Sequence, residues 1–330
     1  MKTGKLSAAA LRARVFPHLG KRNDVLVHAT VGQDSAVLDF GPSACVVTCD
    51  PITGAAEHIG RLAVHVACND LATTGAEPVG LLLTILLAEA NADYDLDRIM
   101  QEAGAAARAV DVEIVGGHTE VTPGLTRSIV VASAIGRAPR GGYVSAAGGR
   151  PGDVLVLTKG AGIEGTAILA ADLADRLRET LDEATLERAR AFIDHISVVP
   201  DGRIGARCGA RGMHDVTEGG VLNGVWELAE ASGCGVRLDA EAVPVLPETR
   251  AICDALGIDP LRLISSGAML IAVPDPGMLL AELTAAGIRS AVIGRLQDHD
   301  RVVVRRGRME PLAAQERDEL YRILEAVSAD

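Results

Sequence analysis

A seam dense in Gly, Pro and Ala, APRGGYVSAAGGRPGD (138–153), divides this chain into two stretches, each alternating short β-rich runs with helical spacing. With 330 residues, the chain is too long for one ordinary core and suits two domains of about 150 residues each. The boundary is placed near residue 148, giving domains 1–148 and 149–330. Both halves mix helix and strand, which predicts an α/β (α+β) architecture.

In the first half SAVLDF and ACVVTC, broken by Gly41-Pro42, read as a hairpin. Residues 58–74 place apolar side chains at 59, 62, 63 and 66 and end at Gly75, which is helical spacing followed by a capping glycine. A strand over 79–87, a helix over 93–110, the short strand VEIVG, a turn GGHTEVTPG and a strand over 127–136 complete it. The second half opens with the strand DVLVLTK and the turn GAGIEG, followed by a long charged helical region over 166–192. Further strands are expected over 236–238, 268–273, 291–296 and 301–304. Helices are expected over 201–210, 220–231, 247–256, 276–286 and 312–327.

Charge and composition exclude several functions. Against 32 basic residues stand 44 acidic ones, a net −12, so no overall field attracts nucleic acid or an anionic membrane. Three Phe, three Tyr and one Trp are too few for base stacking along a single strand. Residues 1–20 show no apolar signal core, and the most apolar run, 79–90, falls short of the roughly 20 residues that span a bilayer. Six cysteines without CxxC pairs fit a reducing, cytoplasmic setting. Cys45 and Cys49, four residues apart on one expected strand, are about 13 Å apart and cannot bridge each other.

Gly160, Gly162 and Gly165 spell G-x-G-x-x-G after a strand and before a helix, the setting of a dinucleotide site. That reading needs a second strand ending in an acid about 20 residues on, and here the sequence is the charged helical run DRLRETLDEATLERARA. A nicotinamide or flavin site is therefore rejected, and no G-x-x-x-x-G-K-[ST] loop is present.

Acidic residues carry the chemistry. Asp34 lies in VGQDSAVL, Asp50 ends ACVVTC, Asp70 follows Asn69 inside the small, apolar helix LAVHVACNDLATTGA, and Asp215 sits in GMHDVTEGG. A carboxylate in such a helix needs a cation or several donors, and oxygen ligands from separate elements are what Mg²⁺ with a nucleotide uses. Asp34 also suits a turn, Asp215 a helix N-cap, and Asp70 a hydrogen-bonded core group. Gly116, Gly117, His118 and Thr119 form a polar cluster beside paired glycines, as does TEGG at 217–220, where backbone N–H groups can approach an anion. Zinc at His118 lacks a second ligand at suitable spacing. Lys159 is either a phosphate partner or a solvated lysine.

Taken in order, VGQDSAVLDF, VTCD, AVHVACNDLATTGAEP, VGGHTEVTPG, MHDVTEGGVL, GIDPLRLISSGAMLIAV and AVIGRL resemble the aminoimidazole ribonucleotide synthase superfamily over nearly the whole chain. The likeness is strongest to the branch containing a hydrogenase maturation dehydratase. It implies an amino-terminal domain that dimerises through its sheet and a carboxy-terminal domain that closes over ATP. It also implies Mg²⁺ and triphosphate held by Asp34, Asp50, Asp70 and Asp215, with Gly116, Gly117 and Thr119 lining the same cleft; Asn69, His118 and Lys159 are further candidates for the nucleotide site. Asp215 and Glu218 are the candidates for proton handling on a small, weakly nucleophilic substrate. A protein partner in a maturation complex also follows from the likeness, as does the rival reading of a non-catalytic nucleotide-binding subunit. Three features depart from the relatives: the chain ends YRILEAVSAD without a carrier cysteine, residues 1–34 contain no Cys, and His118 stands where the kinase branch has an acid.

Overall fold

The computed structural model describes residues 6–52, 57–315 and 317–328. Two sheets organise it. The first contains β1 (Val25–Val27), β2 (Ala36–Phe40), β3 (Ser43–Ile52), β4 (Glu77–Leu87), β5 (Glu113–Val121) and β6 (Ile129–Pro139), in the order β1-β2-β3-β6-β4-β5. Its neighbours are antiparallel except β4 and β5. Helices α1 (Ala8–Arg14), α2 (Ile59–Ala72) and α3 (Ala92–Ala109) belong to this half, with α2 and α3 packed on one sheet face.

Alternation along the strands shows which face is covered. Ala44, Val46 and Ile52 of β3 and Leu81, Leu83, Ile85 and Leu87 of β4 are buried towards the helices. The intervening row, Cys49, Ser133, Leu82 and Gly116, joins across four strands on the open face, where Leu82 remains 42% exposed.

The second sheet comprises β7 (Val154–Thr158), β8 (Gly212–Asp215), β9 (Gly235–Asp239), β10 (Met269–Val273), β11 (Ser290–Gln297), β12 (Arg301–Arg305) and β13 (Arg308–Pro311), ordered β13-β12-β9-β11-β7-β10-β8. Its helices are α4 (Ile163–Asp172), α5 (Ala174–Leu177), α6 (Glu183–Arg190), α7 (Val199–Arg207), α8 (Gly220–Ala231), α9 (Pro247–Leu256), α10 (Gly277–Ala285) and α11 (Glu319–Ser328). Strands β7 and β10 are buried along their whole length, as uninterrupted apolar runs require, because helices cover both faces. One apolar cluster continues from the first sheet through α2 to one face of the second, and another fills the opposite face beneath α8.

Helix α2 is the shared element. It is buried almost all round because α7 lies against the side that the sheet leaves free. A Cβ at Gly202 of α7 would meet the Ala72 carbonyl oxygen at 2.1 Å, so this contact needs a glycine.

Several expectations are corrected. The region 166–192 is broken into α4, α5 and α6, with Asp182 capping α6 by accepting from the Thr185 N–H at 2.7 Å. GGHTEV is strand rather than turn. Residues 312–315, 317 and 318 precede α11 instead of belonging to it, since the Asp318 carboxylate accepts from the Leu320 N–H at 2.7 Å and starts the helix there; residue 316 of the expected helix lies outside the described residues. Strands β1, β8 and β13 and helix α1 lacked a pattern long enough to register.

Candidate active site

Asp34, Asp50, Asp70, Asp215 and Glu218 line one cleft of about 680 Å³ between the two halves. Asp34 comes from the loop before β2, Asp50 from β3, Asp70 from α2 and Asp215 from the end of β8. Asp215 is therefore the last residue of a buried strand, not a turn residue or a helix cap.

Thr48, two residues before Asp50 on the same strand face, ties the cluster together. Its hydroxyl lies 2.5 Å from Asp70 Oδ2, 3.1 Å from the Asp34 carbonyl oxygen and 3.3 Å from Asp50 Oδ2. The Asp70 backbone carbonyl accepts from Ser35 Oγ at 2.9 Å and Thr73 Oγ1 at 2.7 Å, which fixes this turn of α2. Burial pushes the Asp70 carboxyl well above the usual carboxylate range, and the negative charges of Asp50, Asp215 and Asp34 push it further.

His214 supplies positive charge behind this cluster. Its Nδ1 lies 2.6 Å from the Asp215 carbonyl oxygen, 3.6 Å from Asp34 Oδ2 and 3.8 Å from Asp215 Oδ1, while Nε2 lies 3.3 Å from Glu227 Oε2. Burial disfavours the imidazolium, but Asp34, Glu227 and Asp215 outweigh it and raise its pKa to about 9. One ligand atom each from Asp34, His214 and Asp215 lies within 4.8 Å of the others. His214 Nδ1 is held by the Asp215 carbonyl oxygen and the ring does not line the cleft, so the hard oxygens of the aspartates are the donors that face a cation there.

A second acidic group borders the cleft. Glu164, only 6% exposed, lines it and rises to about 7, chiefly through burial, with Asp318 and Glu218 adding repulsion. Asp318 also rises to about 7 through burial and Glu218, although the N–H groups of Leu320, Gly219 and Ile264 oppose the shift. Tyr321 of α11 donates to Glu218 Oε1 at 3.1 Å.

Thr48, His214, Glu227, Glu164, Asp318 and Tyr321 escaped the sequence reading. The signal for Glu164 was available, since it is the single acid in GAGIEG, the turn set aside with the dinucleotide fingerprint. The glycines of that motif serve packing: a Cβ on Gly165 would meet Leu263 Cγ at 2.4 Å.

Two of the expected nucleotide ligands are occupied elsewhere. Lys159 donates to the carbonyl oxygens of Ser197 and Gly267, each at 2.8 Å, and to Asp201 Oδ2 at 3.3 Å, so its three N–H bonds are taken within the fold. Asn69 donates to the Ile196 carbonyl at 2.9 Å and accepts from the Val198 N–H at 2.8 Å, clamping the segment before α7. Neither lines the cleft. Gly116, Gly117, His118 and Thr119 lie on β5, the exposed edge strand, three strands from β3 and so about 14 Å away. Gly117 is needed there because a Cβ would meet the Leu83 carbonyl oxygen at 1.9 Å. His118 pairs with Glu120 at 3.1 Å instead of facing the cleft of its own chain.

Comparison with known proteins agrees with this architecture. Residues 32–138 match the AIR synthase related protein N-terminal domain, and residues 150–307 match the C-terminal domain of the same family. The carbamoyl dehydratase HypE of Rhodobacter capsulatus is 33% identical over 278 residues, covering 82% of this chain and 78% of that protein. The chain belongs to the AIR synthase related family. Within it, this AIR synthase related chain is an enzyme of the HypE-like branch. A chain from the crystal structure of a HypE–HypF complex superposes with a TM-score of 0.74 at 23% identity, over 93% of this chain and 100% of that one. HypE in complex with ATP gives 0.67 at 24% identity, over 96% and 97%. Both likenesses establish the two-domain fold.

Proposed function

We propose that this AIR synthase related chain binds ATP with Mg²⁺ in the acidic cleft and uses it to phosphorylate the oxygen of a small amide-like substrate, turning that oxygen into a leaving group. The observation that carries the reading is the convergence of Asp34, Asp50, Asp70 and Asp215 from four separate elements on one cleft. Burial first, and then the charges of Asp50, Asp215 and Asp34, oppose ionisation of the Asp70 carboxyl, and a hard divalent cation relieves that cost. The donor set fits Mg²⁺, which when bound supplies charge neutralisation for the triphosphate.

The chain's own residues have separable tasks. Thr48 and His214 hold the aspartates in place, and Asp70 and Asp215 are buried. Glu218, fixed by Tyr321, and Asp215 face the same space and are placed to accept a proton from the substrate. Relatives named carbamoyl dehydratase support an amide-type oxygen as acceptor.

A homodimer is part of this reading. The open sheet face carries Leu82, and Val115 and Val121 are also exposed apolar residues, at 54% and 52%. Strand β5 lies at the edge of the same sheet, so Gly116, Gly117, His118 and Thr119 contribute to a nucleotide site by reaching the cleft of a second copy. Assembly with a maturation partner in the cytoplasm is consistent with relatives of the HypE name.

The test is ADP release by the purified chain with Mg²⁺ and ATP across a panel of carbamoyl, thiocarboxamide and primary amide compounds. Stimulation by one class, abolished in Asp215→Asn, is expected. ATP binding without stimulated release by any compound favours the rival reading, a nucleotide-binding subunit.

A further inference from the structure

A second cavity, of about 690 Å³, opens on another face of α2, between α2, α3 and α7. Arg61 of α2 and Arg203 and Arg207 of α7 converge on it. Three arginines against two aspartates, Asp111 and Asp194, leave this lining net positive on a chain whose net charge is −12. Arg61 pairs with Asp194. Arg203 and Arg207, one turn apart on an exposed helix face, repel each other, and neither pairs with an acid among the described residues. Glu77, whose charge Arg203 feels, is already paired with Arg137 at 2.8 Å.

A buried side chain aimed at the same space is the second observation. His65, one turn after Arg61 on α2, is 9% exposed and lines the cavity. Its Nδ1 has no hydrogen-bond partner among the described residues. Burial, with Arg61 and Lys159 nearby, lowers its pKa to about 4, so the ring is neutral and can hydrogen-bond without adding charge. A buried ring nitrogen left unpaired is costly, which makes the His65 ring a candidate to take a hydrogen bond from a ligand in the cavity it lines. Val110, Val199 and Ile204 give the remaining wall an apolar surface.

We propose that this cavity binds a small organic anion bearing phosphate or carboxylate groups. Arg203 and Arg207 hold the anionic end, the His65 ring hydrogen-bonds a neighbouring polar atom, and the apolar wall takes the carbon skeleton. Two arginine forks on successive turns match the planar or tetrahedral oxygens of such groups. The volume is that of a metabolite site, and its concave form suits a small molecule better than a protein surface. The site shares no lining residue with the acidic cleft, so its occupancy stands or falls independently of the ATP reading.

The experiment is an NMR titration of the full chain in EDTA, where the metal-free carboxylate cluster repels anions, with inorganic phosphate and separately with citrate. Saturable shifts at His65 and the Arg203 and Arg207 side chains are expected, with Kd weakened at least tenfold in R203Q/R207Q. Tighter phosphate binding assigns a phosphate ester and tighter citrate binding a polycarboxylate, and either supports the site. Both arginines are exposed, so the double variant should keep its fold, checked by circular dichroism, and single R207Q serves if it does not. Shifts absent with both probes, or unaffected by the substitutions, overturn the proposal. So does saturation by a poly-glutamate peptide alone, which would make the surface a protein-docking site.

Discussion

Replacing Glu164 with Gln should stabilise the metal-free protein, and the gain should grow with pH. The carboxyl has an ordinary value of 4.5 and rises to about 7 in the fold, mainly through burial. Between those values the folded protein holds a proton that the unfolded chain has released, so wild-type stability falls as pH rises from about 4.5 and levels off above about 7. From 4.5 to about 7, at roughly 1.4 kcal/mol per pH unit, the cost reaches about 3 kcal/mol. Gln keeps the size and the hydrogen bond to Ser266 but cannot ionise. In urea denaturation with EDTA, Glu164→Gln should stay within about 1 kcal/mol of wild type at pH 5 and exceed it by about 3 kcal/mol at pH 8.5. Asp318, raised by the same burial, titrates in the same interval and broadens the transition. A difference that is constant with pH, or a variant less stable at pH 8.5, refutes this account of the pocket.

Other outcomes follow from the same geometry. His214, raised from 6.5 to about 9, contributes stability that is complete below pH 6.5 and lost as pH rises through 9. Wild type should therefore lose about 3 kcal/mol across that interval in metal-free urea melts, and His214→Gln should not. Lys159→Met breaks a buried pair with Asp201 and should cost about 3–5 kcal/mol in stability while leaving Mg·ATP affinity within about twofold. A tenfold loss of affinity would return Lys159 to the nucleotide site. Leu82→Glu places charge on the open sheet face and should convert a wild-type dimer to monomer by light scattering; a monomeric wild type contradicts the dimer.

Sequence patterning revealed the elements that run long and keep one period. Strand β4 and helices α2, α8 and α9 appear within two residues of their expected bounds, because periodicity and terminal glycine or proline mark them. The GGHTEV segment misled because paired glycines signal a turn, whereas here the close approach of β4 to Gly117 requires one of them inside a strand. Asp70 stood out because a charge in an apolar helix is costly wherever it folds, whereas Asp34, Asp50 and Asp215 stood out only as acids at expected strand ends and turns. Their supports were not legible, since His214, Thr48 and Glu227 are ordinary polar residues until the sheets bring them together. Lys159 and Asn69 looked like ligands because sequence cannot show that backbone carbonyls more than 30 residues away occupy them.

The central claim is that the aspartate cluster holds a divalent cation and the ATP triphosphate. Calorimetric titration of Mg·ATP into wild type and Asp70→Asn tests it most directly. The account predicts binding by wild type, at least a tenfold weaker Kd in the variant, equivalent to about 1.4 kcal/mol or more, and a melting temperature in EDTA equal to or above that of wild type. Equal affinity in the two proteins, or no binding by wild type, would contradict it.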